Sequence, residues 1–346
     1  MTDTKIVTDE RNFRPLDLAD FIGQEKLKPV LRTMLDAAQA RRSALEHLVF
    51  YGPPGLGKTT LAGIVANTLG GRFIETSGPA MTKPGDLAKV VSLIQKGDVL
   101  FVDEIHGLNR PVQDMLLKVM EDFVLTIPLD GKDESRALTL PVPRFTLIGA
   151  TTDYGLISGP MRDRFGHGFY LEPYSADELS QVALRAFDKL GLLVDEESVE
   201  GIARRSRGTP RVALNLVRRV ADLATVTETE FVSTEMVDDM MAQLGLDEAG
   251  LTDIDRRYLA TLVNVYRGGP AGPKAIATSA GIDLATLENV VEPALQLLGF
   301  VARTPRGRRI TRAGYAHIAP YIVSPPVINW RKVESSDSAP GDALRD

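Results

Sequence analysis

The chain has 346 residues, 44% of them hydrophobic, enough for more than one packed domain. It contains no Cys, which excludes a disulfide framework and any thiolate metal site. Its four His (His47, His106, His167, His317) lie far apart and suggest no metal site. The net charge is −6. No run approaches the about 18 apolar residues of a spanning helix, and the N-terminus lacks a signal-peptide pattern. A cytoplasmic protein with no membrane partner is the expectation.

The acidic excess is uneven. Residues 251–330 hold nine Lys/Arg against five Asp/Glu, whereas residues 1–250 hold 28 against 37. The one net-basic block is where contacts to nucleic-acid phosphates are to be sought.

Residues 1–20 read as a polar, irregular N-terminal segment. From 21 to 174, β-rich runs at 47–51, 72–77, 99–103, 145–150 and 168–171 alternate with helical patterns near 24–41, 59–69, 84–95 and 110–122. That alternation predicts an α/β domain, a parallel sheet with helices on both faces. The first strand runs into Gly52-Pro53-Pro54-Gly55-Leu56-Gly57-Lys58-Thr59-Thr60, a phosphate loop between strand and helix. Backbone N–H groups and a helix start make an anion site there. Gly52, Gly55 and Gly57 let the chain close round phosphates, Lys58 adds a point charge, and Thr59 offers a hydroxyl to Mg²⁺. ATP with Mg²⁺ is the expected ligand, with Thr60 beside it.

The apolar run Val99–Val102 ends in Asp103 and Glu104. A strand buried on both faces reads this way, and its C-terminal end lies at the ligand crevice. Asp103 is placed to hold Mg²⁺ and Glu104 to orient the attacking water. The run Phe145–Ala150 ends in Thr151-Thr152, hydroxyls that either reach the γ-phosphate or simply cap a turn. In Pro160–Gly166, Arg162 and Arg164 belong on the surface. They serve either as surface ion pairs or as a finger acting on a neighbouring subunit.

Apolar residues alternate at Phe123, Leu125, Ile127 and Leu129, and again at Leu138, Leu140 and Val142, with polar 130–136 between them. This predicts a β-hairpin inserted at 123–145. Its apolar face either packs on its own domain or is covered by a partner.

Residues 175–248 read as helix only, beginning with a capping box at Ser175 and Glu178. Within them, Arg207-Gly208-Thr209-Pro210-Arg211 opens a helix, and Arg211 either returns to the nucleotide or does not. In 249–325, Lys274–Ala280, Gly281 and Asp283–Leu298 suggest a helix-turn-helix. Two short strands then flank Thr304–Gly307, giving a winged-helix outline. Arg303, Arg306, Arg308, Arg309 and Arg312 make the wing basic without a base-reading pattern, which predicts sequence-independent, salt-sensitive backbone contacts. On this reading, Arg308→Ala weakens binding to all DNA sequences alike. Residues 326–346, rich in Ser, Pro, Asp and Gly, are expected to be disordered.

Together, Gly52–Thr60, Val99–His106, Phe145–Thr152, Pro160–Gly166 and Arg207–Arg211 resemble the AAA+ ATPases. Phe21–Glu25, Thr76–Pro79, Met120–Phe123 and Arg303–Arg308 narrow the resemblance to the RuvB family of bacterial Holliday-junction branch-migration motors, over about residues 13–322. The resemblance implies an AAA+ domain, a small helical lid and a winged helix. It implies an ATPase and helicase acting in recombination, DNA repair and the SOS response. Lys58 and Thr59 would bind phosphate and Mg²⁺, Asp103 and Glu104 would be the Walker B pair, and Thr152 the sensor 1 residue. Arg164 would be the finger and Arg211 the sensor 2 residue. Phe13, Arg14 and Tyr174 would surround the base and ribose, and Glu121, Asp122 and Phe123 would belong to the nucleotide site. Arg303, Arg306 and Arg308 would touch DNA. It further implies a homo-hexameric ring acting on Holliday junctions or duplex DNA, with the hairpin docking RuvA and with RuvC a possible associate. Gly107, Met115–Val119 and Gly166–Phe169 depart from the family pattern. A clamp-loader-type ATPase and a nucleotide-switched winged-helix regulator remain the alternatives.

Overall fold

The computed structural model describes residues 13–128 and 137–334. The expected hairpin turn at 130–136, Leu129, and the tail from 335 onward lie outside the described residues.

Five strands form one parallel sheet: β1 (Leu48–Tyr51), β2 (Phe73–Ser77), β3 (Val99–Asp103), β6 (Thr146–Thr151) and β7 (His167–Tyr170). Between β3 and β6 in sequence come β4 (Val124–Pro128) and β5 (Ala137–Pro141), an antiparallel pair outside that sheet. The sheet order is β2-β3-β6-β1-β7. Parallel pairing of β1 with β6 and β7, and of β3 with β2 and β6, brings every C-terminal strand end to one edge. Leu48–Phe50, Val99–Val102 and Leu147–Ile148 are fully buried, as a sheet covered on both faces requires. Each large side chain of this kind contributes about 1.5–3 kcal/mol.

The strand pattern sets which ends meet. The phosphate loop follows β1 in the sheet's interior, Asp103 ends β3, and Thr152 follows β6. Helix Lys58–Leu69 packs across β3 and β6 and stops at Gly70 in a left-handed cap. Arg110–Asp122 starts with Asn109, whose side chain accepts from the Val112 N–H, and ends at Phe123 with φ +54°. The base of the β4–β5 pair is anchored, since Leu125 and Val142 are buried with the domain core and Phe123 packs against it. Leu138 and Leu140 are exposed. Residues 13–20 are irregular, yet Phe13 and Leu18 are buried.

The described chain divides into two compact units. The first runs up to Leu190 and takes in Thr209–Leu214; the second holds Gly191–Gly208 and the chain from Asn215. Helix Ala176–Lys189, which opens with the expected Ser175–Glu178 capping box, therefore belongs to the first unit. The second unit is not wholly helical: β8 (Leu193–Val194) and β9 (Phe231–Val232) form a short parallel pair. Its winged helix comprises Asp253–Asn264, Pro273–Ala280, a helical stretch over Leu284–Leu297, and the antiparallel β10 (Val301–Thr304) and β11 (Gly307–Ile310). Leu259, Leu262, Ile276, Leu287, Leu295 and Ile310 centre its core.

The expected disorder from 326 is corrected for 328–334. Ile328 and Val333 are buried in that same core, Trp330 packs against it, and Trp330–Glu334 is helical. Low overall hydrophobicity hid three apolar anchors, Ile328 before the helix and Trp330 and Val333 within it.

Candidate nucleotide site

The phosphate loop leaves β1 with Gly52 at φ +137° and enters its helix through Gly57 at φ +100°. A Cβ on Gly52 would lie 2.6 Å from the Leu171 carbonyl oxygen, so only glycine closes this turn. Lys58, the first helical residue, is 7% exposed. Its ammonium donates to the carbonyls of Gly52 (2.8 Å) and Pro53 (2.9 Å), and among the described residues it forms no ion pair. Burial pushes its pKa below the usual lysine value, against the opposing pull of Glu104 and Asp103.

A cavity of about 190 Å³ opens at the loop. Gly55, Gly57, Lys58, Thr59, Thr60, Asp103, Glu104 and Arg211 line it, together with Phe13, Arg14 and Tyr174, for which the family resemblance implies a place round the base and ribose. Tyr174 is buried, its hydroxyl faces the Leu56 carbonyl at 3.5 Å, and burial raises its pKa, so the ring is a neutral wall. The Arg211 N–H donates to the Gly55 carbonyl at 3.3 Å, which ties the start of helix Pro210–Val226 to the phosphate loop.

Glu104 has φ +45°, a conformation that favours glycine, and sits where β3 gives way to a single 3-10 turn, Ile105–Gly107. Its Oε2 accepts from the Thr152 N–H (3.1 Å) and hydroxyl (3.2 Å). Thr152 and Gly52 therefore adjoin the cavity through Glu104 and Lys58 rather than line it. Gly107, where the sequence departs from the family, is explained by crowding: a Cβ there would lie 2.9 Å from the Pro79 ring.

Three expected nucleotide contacts, Glu121, Asp122 and Phe123, are corrected within this chain. Phe123 is not at the cavity, because it ends helix Arg110–Asp122 and its ring packs tilted against His47 and edge-on to Phe145. Glu121 and Asp122 lie on the exposed last turn of that helix. Arg164, for which the resemblance implies a role at a neighbouring subunit's nucleotide, is half exposed, pairs with Glu121 at 2.7 Å and lies outside this chain's own cavity.

Sequence reasoning missed Val182, Arg185, Ala186 and Lys189. Their spacing of three and four along one helix was the available signal.

The wing needs a correction too. Arg303 and Arg306 are exposed, but Arg308 is 8% exposed and pairs with Glu292, itself 2% exposed. Its Nε lies 2.9 Å from Glu292 Oε2 and 3.0 Å from Oε1, and the Tyr258 hydroxyl donates to the same carboxylate at 3.1 Å. Arg308 is therefore withdrawn as a DNA contact. Alternation places it on the inward face two residues before buried Ile310, a signal the charge run concealed. Arg312 pairs with Glu334 at 2.9 Å.

A phosphate loop in a five-stranded parallel sheet, an acidic pair on the adjoining strand end, helices that follow, and a winged helix define an AAA+ ATPase with a DNA-binding-type module. Family models agree along the chain: "Holliday junction DNA helicase RuvB P-loop domain" matches residues 13–171, "RuvB AAA lid domain" 174–247, and "RuvB C-terminal winged helix domain" 248–319. The Holliday junction branch migration complex subunit RuvB of Kosmotoga olearia is 47% identical over 308 residues, 89% of this chain and 90% of that protein. The subunit of the same name from Lacticaseibacillus casei is 46% identical over 309 residues, 89% of this chain and 91% of that one. The solved Thermotoga maritima RuvB Holliday junction branch migration motor superposes with a TM-score of 0.79 at 42% identity, covering 89% of this chain and 98% of that one. The chain belongs to the RuvB family.

Proposed function

We propose that this chain is the ATP-hydrolysing motor of a RuvAB-type complex, a cytoplasmic homo-hexameric ring with helicase activity that drives branch migration of Holliday junctions. The observation that carries the reading is Lys58, a buried ammonium held by two carbonyls and left without an ion-pair partner among the described residues. A site built this way is completed by an anion.

In this reading Lys58 and the loop N–H groups bind the β- and γ-phosphates. Phe13, Arg14 and Tyr174 enclose the base and ribose. Thr59 and Asp103 both line the cavity and fit Mg²⁺, which keeps few protein ligands and takes the rest from phosphates and water. Held by these two residues, such an ion would supply positive charge to offset that of the phosphates. Glu104 orients the attacking water, and Thr152 holds Glu104. Arg211 reports the nucleotide state.

Arg164 acts on the neighbouring subunit's ATP. To do so it gives up Glu121, an exposed pair worth only about 0–1 kcal/mol, a small cost beside the transition-state charge it would meet. The exposed Leu138 and Leu140 on β5 belong to the face that docks RuvA, and RuvC joins through that complex. Arg303 and Arg306 hold duplex phosphates without reading bases.

The test is migration of a synthetic four-way junction with ATP, Mg²⁺ and RuvA, using Lys58→Ala as the blank. Strand separation that needs all of these is the expected outcome. ATP hydrolysis without migration favours the clamp-loader alternative. Binding confined to one DNA sequence favours the regulator.

A further inference from the structure

His106 has no part in the roles assigned so far, yet it touches the catalytic glutamate. Its Nδ1 lies 2.8 Å from Thr151 Oγ1 and 3.1 Å from Glu104 Oε2. Thr151 is fully buried and its Oγ1 already accepts from the Asp153 N–H at 3.0 Å. One nitrogen thus faces two oxygens, and one of these is a carboxylate oxygen that can only accept. A lone pair on Nδ1 would confront the lone pairs of Oε2. The 3.1 Å approach to a carboxylate oxygen favours the proton on Nδ1, with Thr151 Oγ1 as its hydrogen-bond partner.

The consequence falls on Glu104. Its Oε2 accepts from the Thr152 N–H and the Thr152 hydroxyl, and His106 Nδ1, hydrogen-bonded to Thr151 Oγ1, approaches it to 3.1 Å. Oε1 is left to accept from a water. The two donors come from the residue after β6 and the imidazole from the 3-10 turn that Glu104 itself opens, so the carboxylate is held from both sides. Neighbouring backbone fixes that turn, because the Gly78 N–H donates to the Asp103 carbonyl at 2.7 Å.

We propose that His106 is a positioning residue: its Nδ1–H, braced by Thr151, fixes the rotation of the Glu104 carboxylate and so the direction in which Oε1 addresses the attacking water. This rests on the reading of Glu104 given above. The hydrogen bond itself is independent of that reading.

Two measurements on the full chain test it. With ¹⁵N-labelled histidine, the nucleotide-free protein should show the His106 ring, assigned by its loss in His106→Asn, with the proton on Nδ1. Glu104→Ala, which removes the acceptor, should diminish that form. The proton found on Nε2 in the unmodified chain would overturn the proposal. In steady-state ATPase assays with duplex DNA, His106→Phe should lower kcat by on the order of tenfold, since misorientation of a reacting group is costly. KM and the affinity for a fluorescent ATP analogue should stay unchanged. His106→Asn, whose amide N–H can take the place of Nδ1–H, should recover most of the rate. Equal loss in both variants, loss of nucleotide affinity, or an unchanged kcat in His106→Phe would overturn it. A chain with no Lys58-dependent hydrolysis would instead defeat the reading of the site, while the imidazole spectrum would still decide the hydrogen bond.

Discussion

Lys58 and Arg308 are buried to the same degree, 7% and 8% exposed, and sit in the first and second units. Their surroundings differ in kind. Arg308 meets a buried carboxylate in a two-bond pair, with a tyrosine hydroxyl satisfying the same acceptor. Among the described residues Lys58 donates to two carbonyls and forms no ion pair, and burial depresses its pKa. A buried cation with its countercharge in the chain is a structural element. One without it is a site that awaits an anion. Neither the residue type nor the burial separates the two; the partner does.

The largest effect that could break this contrast belongs to Lys58→Ala. It should lower ATP turnover by on the order of 10³-fold, in the range lost when a charge clamp on a transferring phosphoryl group is removed. The thermal midpoint should hold or rise, because an isolated buried charge is relieved. A large drop in the midpoint would make Lys58 structural after all.

Next comes Arg308→Ala. It leaves Glu292 charged and unpaired, so it should destabilise the winged helix by about 3–5 kcal/mol. Denaturant unfolding followed at Trp330, the single tryptophan, measures it. Combining Arg308→Met, Glu292→Leu and Tyr258→Phe should restore most of that loss, since replacing a whole buried network can be near neutral. A stable Arg308→Ala protein with weakened DNA binding would return Arg308 to the DNA surface.

His47 sharpens the comparison from the other side, as a buried ionisable group kept neutral. Its Nδ1 accepts from the Leu147 N–H at 2.9 Å, so its Nε2–H faces the Met120 carbonyl at 3.2 Å. Burial lowers its pKa from 6.5 to about 4. The unfolded chain takes up a proton between those values and the folded chain does not. This contribution is therefore full above pH 6.5 and is lost as the pH falls toward 4. The gap corresponds to about 3 kcal/mol. Unfolding free energies at pH 7 and pH 4.5 should show the decline, and His47→Gln should remove this part of it. An unchanged pH slope would place a charged imidazole in the core.

The smallest effects lie on the open wing. Arg303→Ala and Arg306→Ala should each reduce the slope of log affinity against log salt by about 0.9. Loss should be equal on unrelated duplexes, with stability within about 0.5 kcal/mol of the parent. Loss on one sequence alone would imply base contacts.

Much of this was legible beforehand. The phosphate loop, the strand leading into Asp103-Glu104 and the wing strands all stand where the loop motif, the continuous apolar run and the Pro/Gly turn put them, because local propensity and burial agree there. The tail shows the limit. Ile328, Trp330 and Val333 are few, and only the core they dock on makes them ordered. Phe123 shows another, since its adjacency to a family motif gave no sign that its ring would pack against His47 and Phe145.

The sequence by itself determined the order of elements, the anion-binding loop and the acidic pair, since these depend on residues adjacent in the chain. Only the tertiary structure decided which charges are free to act. Glu292 lies 16 residues before Arg308, and Thr152 lies 48 residues after Glu104. No local pattern carries those pairings, because pairing and desolvation are set by what folding brings within hydrogen-bond reach.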